Sequence, residues 1–66
     1  MIDSLAEALP REQKRCRMVL EQYKAIPQGA FGAMMIEQSL DRADQAVMSG
    51  DAIQMLKSYE ELKGIS

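Results

Sequence analysis

The punctuation of the chain limits what it can fold into. Its two prolines and four glycines are Pro10, Pro27, Gly29, Gly32, Gly50 and Gly64, and the segments between them hold few strand-forming residues. There are five Ile, two Val and no Thr, while Ala, Leu, Met, Glu, Gln, Lys and Arg dominate. Those residues are strong helix formers, and no alternation of apolar and polar residues marks a strand. The breakers therefore divide an all-α chain: two to three helices in a short antiparallel hairpin or bundle, within one domain spanning residues 1–66.

Proline suits the first position of a helix, where its missing N–H has no partner to lose. This starts helix 1 at Pro10 and runs it over 10–26, and Pro10 argues against one unbroken helix from Ser4 to Ile26. Residues 1–9 then form a short helix or a mobile arm. Along PREQKRCRMVLEQYKAI the residues Cys16, Val19, Leu20 and Tyr23 share one face, with Leu9 and Ile26 extending it. Pro27 disfavours α geometry at Ile26 and ends the helix. Helix 2 spans 30–49, with Ala33, Ile36, Leu40, Ala43 and Val47 in a heptad-like seam. Gly50 suits a left-handed C-terminal position and Asp51 an N-cap. Helix 3 spans 52–63, presents Ala52, Met55, Leu56, Tyr59 and Leu62, and stops at Gly64.

A chain of 66 residues buries only about 60% of the surface its unfolded form exposes, so its core is marginal. Small domains add disulfides, a metal or a partner chain. Cys16 is the only cysteine and histidine is absent, which removes an internal disulfide and a protein-built zinc site. A homo-oligomer is the remaining staple, and a two-fold dimer is its commonest form. The formal charge of −2 provides no broad basic field for nucleic acid. No apolar run approaches the ~20 residues of a membrane span, and no signal-peptide pattern is present. With a lone thiol, this places the chain in a reducing cytoplasm. No cofactor is expected.

Within IPQGAFGAMMIEQSL the two glycines raise the question of a phosphate cradle. No strand precedes them and no Lys or Ser/Thr follows Gly32, so this is no P-loop. A weaker anion site remains. The free N–H groups at the start of helix 2 (Gly29, Ala30, Gly32) could donate to a nucleotide phosphate, with Arg11, Lys14 or Arg15 closing from another subunit. Those basic residues project away from the helix 1 core face. They crowd a helix N-terminus, where positive charge is unfavourable, and so hint at an external anion. Glu37, Asp41 and Asp44 share one side of helix 2 and read as a solvated acidic flank. Cys16 reads as a small buried hydrophobe. Without a histidine it has no base to activate it, and the chain reads as non-enzymatic.

The methionines are more informative. Met18, Met34 and Met48 fall off the core faces of their helices, and methionine suits adaptable binding surfaces. Helix 2 thus carries apolar residues on two sides. Phe31, the only phenylalanine, sits beside Gly32 where a neighbour can approach closely. Phe31, Met34, Met48 and Met18 are the expected interface residues.

The segment from Gly29 onward resembles small open reading frames of bacteriophages and prophages. The shared pattern is GAFG at Gly29 to Gly32, then Met35-Ile36, Asp44 with Ala46, Gly50-Asp51, and a YEELK end at Tyr59 to Lys63. The resemblance covers about half the chain and carries no activity or functional residue with it; it implies a phage origin and a bacterial host cytoplasm. AVMSGDAIQMLKSYEEL is also loosely similar to a single tetratricopeptide-type hairpin, but a solenoid needs about three repeats. The expected function is that of a small interaction protein that self-associates and binds, or blocks by binding, a host or phage macromolecule. The alternative is an oligomeric binder of nucleotides or other anions.

Overall fold

The computed structural model describes residues 4–66, and these form three α-helices: α1 (Leu5–Lys24), α2 (Ala30–Ser49) and α3 (Ala52–Lys63). No strand occurs among the described residues, and each helix packs against both others in one bundle. The bounds of α2 and α3 coincide with those the breakers suggest.

α1 does not follow the breakers. It begins at Leu5, passes through Pro10 and ends at Lys24, two residues short of Ile26. Of the expected arm or short helix, residues 1–3 lie outside the described residues and Leu5 onward belongs to α1 itself. Ser4 starts the helix with its backbone: its carbonyl accepts from the Glu7 and Ala8 N–H groups at 3.0 and 2.8 Å. Pro10 cannot donate to the Ala6 carbonyl, yet Ala6 and Pro10 are both exposed, so water can replace the lost bond. The same stretch buries Ala8 and completely encloses Leu9. A fully buried leucine contributes about 1.5–3 kcal/mol, which offsets a proline at a solvated position.

The α1–α2 connection follows local chemistry. Ile26, before a proline, is extended (φ −105°, ψ 125°), and Pro27–Gly29 form a 3-10 turn leading into α2. Ile26 thus leaves the core stripe and is exposed. At the other end of α2, Gly50 is left-handed at φ 68°, and the Asp51 carboxylate accepts from the Ile53 and Gln54 N–H groups at 3.0 and 3.2 Å. The two-residue link reverses the chain.

The core is Leu9, Cys16 and Leu20 of α1, Ala33, Ile36, Leu40 and Ala43 of α2, and Leu62 of α3. Several expected core residues lie outside it. Val47 is 43% exposed, while Ser39 and Ala46 are buried in its stead. α2 packs against both α1 and α3, and its buried sector widens toward α3, where small side chains allow close approach. Val47, in the last turn, extends past the packed region. Leu56 is 53% exposed and Ala52 is also exposed. The rotation of α3 is set by Leu62, which is fully buried, and by Ser58 and Met55 one and two turns before it. That rotation turns Leu56 outward.

Candidate functional site

The two glycines of GAFG serve Tyr23. A Cβ on Gly29 would collide with the Tyr23 carbonyl oxygen, and a Cβ on Gly32 would meet the Tyr23 ring at 2.6 and 2.7 Å. Gly29 and Gly32 therefore form a close-packed corner in which the end of α1 presses on the start of α2, while Ala30 between them is exposed. The Tyr23 hydroxyl also donates to the Ser66 carbonyl at 3.0 Å, so one side chain joins α1, the start of α2 and the chain end. By its spacing Tyr23 is one more residue of the core stripe, and nothing in that spacing signals its link to both glycines.

The basic residues of the anion hypothesis do not gather at this corner. Lys14 lies nine residues before Tyr23, about 13 Å of helix rise away. Arg11 and Lys14 are exposed on the outer face of α1. Because α1 begins at Leu5, both sit in the middle turns, so the expected conflict with a helix N-terminus does not exist. Arg15, expected to project away from the fold, instead reaches across it. Its guanidinium donates to the Leu62 carbonyl at 2.8 Å and the Ile65 carbonyl at 2.7 Å, while Glu12 holds it at 3.1 Å. A cation at a helix C-terminus satisfies open carbonyls and opposes the negative end of the helix dipole. The hydrogen bond to Glu12 raises the Arg15 pKa further above its ordinary value, against a smaller opposing effect of burial. Arg15 is thus the clasp that holds the end of α3 on α1.

Cys16 belongs to the same clasp. It is fully buried, and its thiol donates to the Leu62 carbonyl at 3.4 Å. Burial pushes its pKa up, and the neighbouring Arg15 charge only partly opposes this. The thiol therefore stays protonated at neutral pH, which suits a packing role.

The acidic flank of α2 is largely neutralised. Glu37 pairs with Lys24 at 3.3 Å. Asp44 accepts from the buried Gln13 at 2.8 Å and from Arg17 at 3.2 Å. On the other side Arg42 bonds Glu61 through Nη2 and Nε at 2.5 and 3.2 Å, and Ser39 at 3.3 Å. Burial pushes the Glu61 carboxyl up, but hydrogen bonds from Ser39 and Arg42 and the guanidinium charge hold it below its ordinary value. No group of three or more His, Cys, Asp or Glu among the described residues is placed to hold a metal. An open groove of about 530 Å³ runs between α2 and α3, with small side chains Ala46, Ser49 and Ser58 and a mixed-charge rim that includes Arg42, Lys57 and Glu61.

The expected interface residues are all on the surface: Phe31 is 71% exposed, Met34 45%, Met48 80% and Met18 62%. Phe31 and Met34 are neighbours at i, i+3 on the outer face of α2. Met35, which the wheel does not single out, joins them at i+4 from Phe31 and is 45% exposed. Met48 lies on the same face as Met34, about 21 Å further along the helix. Met18 lies instead on the outer face of α1 and does not join them. Ile53 and Leu56 form a smaller exposed pair on α3.

No helix among the described residues is long and apolar enough to cross a membrane. Comparison with protein-family models, with curated proteins and with solved structures finds no match.

Proposed function

We propose that this protein works by contact and not by catalysis. It self-associates as a homodimer through the outer face of α2, and in that form binds, or blocks by binding, a macromolecule of a bacterial host or its phage in the cytoplasm. The observation that carries this reading is the exposure of Phe31, Met34 and Met48 on one helix face of so small a chain. Single exposed apolar residues are ordinary, but Phe31, Met34 and Met35 adjoin one another at one end of α2, and an exposed apolar patch marks a contact surface. The core supports the same reading. Its largest fully enclosed side chains are Leu9, Leu62 and Cys16, so a second copy would add buried area that the chain alone lacks. The anion-binding alternative loses Arg15 to the α3 clasp and would need Arg11 or Lys14 of a second copy to reach the start of α2.

Light scattering over a range of concentrations tests self-association, using the native protein and Met34→Glu. Position 34 is exposed, so the substitution leaves the monomer folded, while a charge buried unpaired in an interface is costly. The expected result is a native dimer and a monomeric Met34→Glu of unchanged helical content. A native protein that stays monomeric at every concentration would refute the reading.

A further inference from the structure

The outer face of α2 carries a second heptad stripe. Phe31, Met34, Gln38, Asp41, Gln45 and Met48 recur at alternating spacings of three and four, the pattern of a helix-pairing seam, and all six are exposed. Among the described residues, Gln38, Asp41 and Gln45 have no hydrogen-bond or ion-pair partner. The other charged residues of α2 do: Glu37 is turned to Lys24, Asp44 to Arg17 and Arg42 to Glu61. Asp41 is thus the one charge of the helix without a counter-ion among the described residues, and it lies near the middle of a stripe that is apolar at both ends.

We propose that two copies pair α2 against α2, antiparallel, about a two-fold axis passing between Gln38 and Asp41. This deepens the self-association reading above and rests on it. The register is dictated by the stripe itself. Read backwards, Phe-Met-Gln-Asp-Gln-Met becomes Met-Gln-Asp-Gln-Met-Phe. Laid against the forward order, it sets Phe31 on the partner's Met48, Met34 on the partner's Gln45, and Gln38 on the partner's Asp41. A two-fold axis repeats each contact. The Gln38 amide has N–H donors and a carboxylate accepts only, so each Asp41 gains a donor from the other copy. The apolar pairs fall at the two ends of the contact. The parallel alternative puts Asp41 against the partner's Asp41, where like charges repel. What points to a second copy as the occupant is the chemistry of this register: it brings Phe31 to the partner's Met48 and at the same time supplies Asp41, unpaired among the described residues, with a donor.

The test is sedimentation equilibrium at low salt on the native protein, Gln38→Lys and Gln38→Glu, with circular dichroism to verify that each remains helical. In Gln38→Lys, antiparallel pairing sets the introduced ammonium against the partner's Asp41 twice per dimer. Two added ion pairs should lower the dissociation constant about three- to ten-fold, and high salt should reduce the gain. Gln38→Glu sets like charges together and should weaken the dimer by a similar factor. If the native protein dimerises but Gln38→Lys loosens it as Gln38→Glu does, or if neither variant changes it, the antiparallel register is wrong and self-association stands. If neither native protein nor variants dimerise, the self-association reading falls and this register with it.

Discussion

Arg15 directs its charge into the fold, onto the Leu62 and Ile65 carbonyls. From the sequence it is indistinguishable from Arg11 and Lys14, because all three lie outside the Cys16–Leu20–Tyr23 stripe. Arg15 stands at the edge of that stripe, and a long side chain there can reach across to the end of a neighbouring helix. Hydrogen bonds involving a charged group contribute about 1.5–3 kcal/mol each when well enclosed; the Arg15 side chain is 39% exposed, so a smaller effect applies. Arg15→Ala should lower stability by about 1–2 kcal/mol in urea denaturation, whereas Lys14→Ala, on the open face, should change it by no more than about 0.5 kcal/mol. Equal effects would show that Arg15 holds nothing.

Among the helices, α2 decides the fold. It supplies four of the eight core side chains, Ala33, Ile36, Leu40 and Ala43, more than either other helix. Leu40 is 5% exposed in the middle of that stretch. Leu40→Ala should cost about 2–5 kcal/mol, the usual range for a buried leucine truncation. Total stability of a domain this small lies near the lower end of about 5–15 kcal/mol, so the variant should be largely unfolded when followed by circular dichroism at moderate temperature. Val47→Ala, two turns on in the same apparent seam, should cost under about 1 kcal/mol because Val47 is already 43% exposed. A reversed order would mean that α2 is rotated from the position described.

The bundle as an object measures 38 × 25 × 15 Å, with a radius of gyration of 12.1 Å against about 11 Å for a compact chain of this length. So flat a bundle leaves each helix a wide outer face. It also relies on ties across its surface, of which Arg42–Glu61 joins α2 to α3 and Arg17–Asp44 joins α1 to α2. Glu61 gives the first of these a pH signature. Its folded-state pKa is lowered, so its contribution to stability is present above the unfolded carboxylate value, about 4.3, and is lost as the pH falls through the folded value. Unfolding midpoints in urea should decline below about pH 4.5. Glu61→Gln should flatten that decline while retaining a hydrogen-bonding side chain; an unchanged pH profile would assign the acid loss to other carboxylates.

The existence of the helices is legible in the chain because it rests on local terms: helix-forming composition, periodic apolar residues, the Gly50-Asp51 cap pair and the extended residue before Pro27. Pro10 misleads for the same reason. Its local cost is real, but the burial of Leu9 in the bundle outweighs it, and no local rule contains that burial. The exposure of Phe31, Met34 and Met48 is visible on the helical wheel, since they lie off an apolar face that the spacing alone defines. The facing of α3, the exposure of Val47 and Leu56, the use of Arg15 as a clasp and the fit of Tyr23 over Gly29 and Gly32 are not. Each depends on where a second helix ends or crosses, a distance set by packing between segments far apart in the chain. Residue order alone thus specifies three helices and most of the apolar stripes of α1 and α2. Which polar residues turn inward to join those helices is settled by the packed bundle, because that choice depends on the reach of a side chain to a carbonyl or counter-charge on another element.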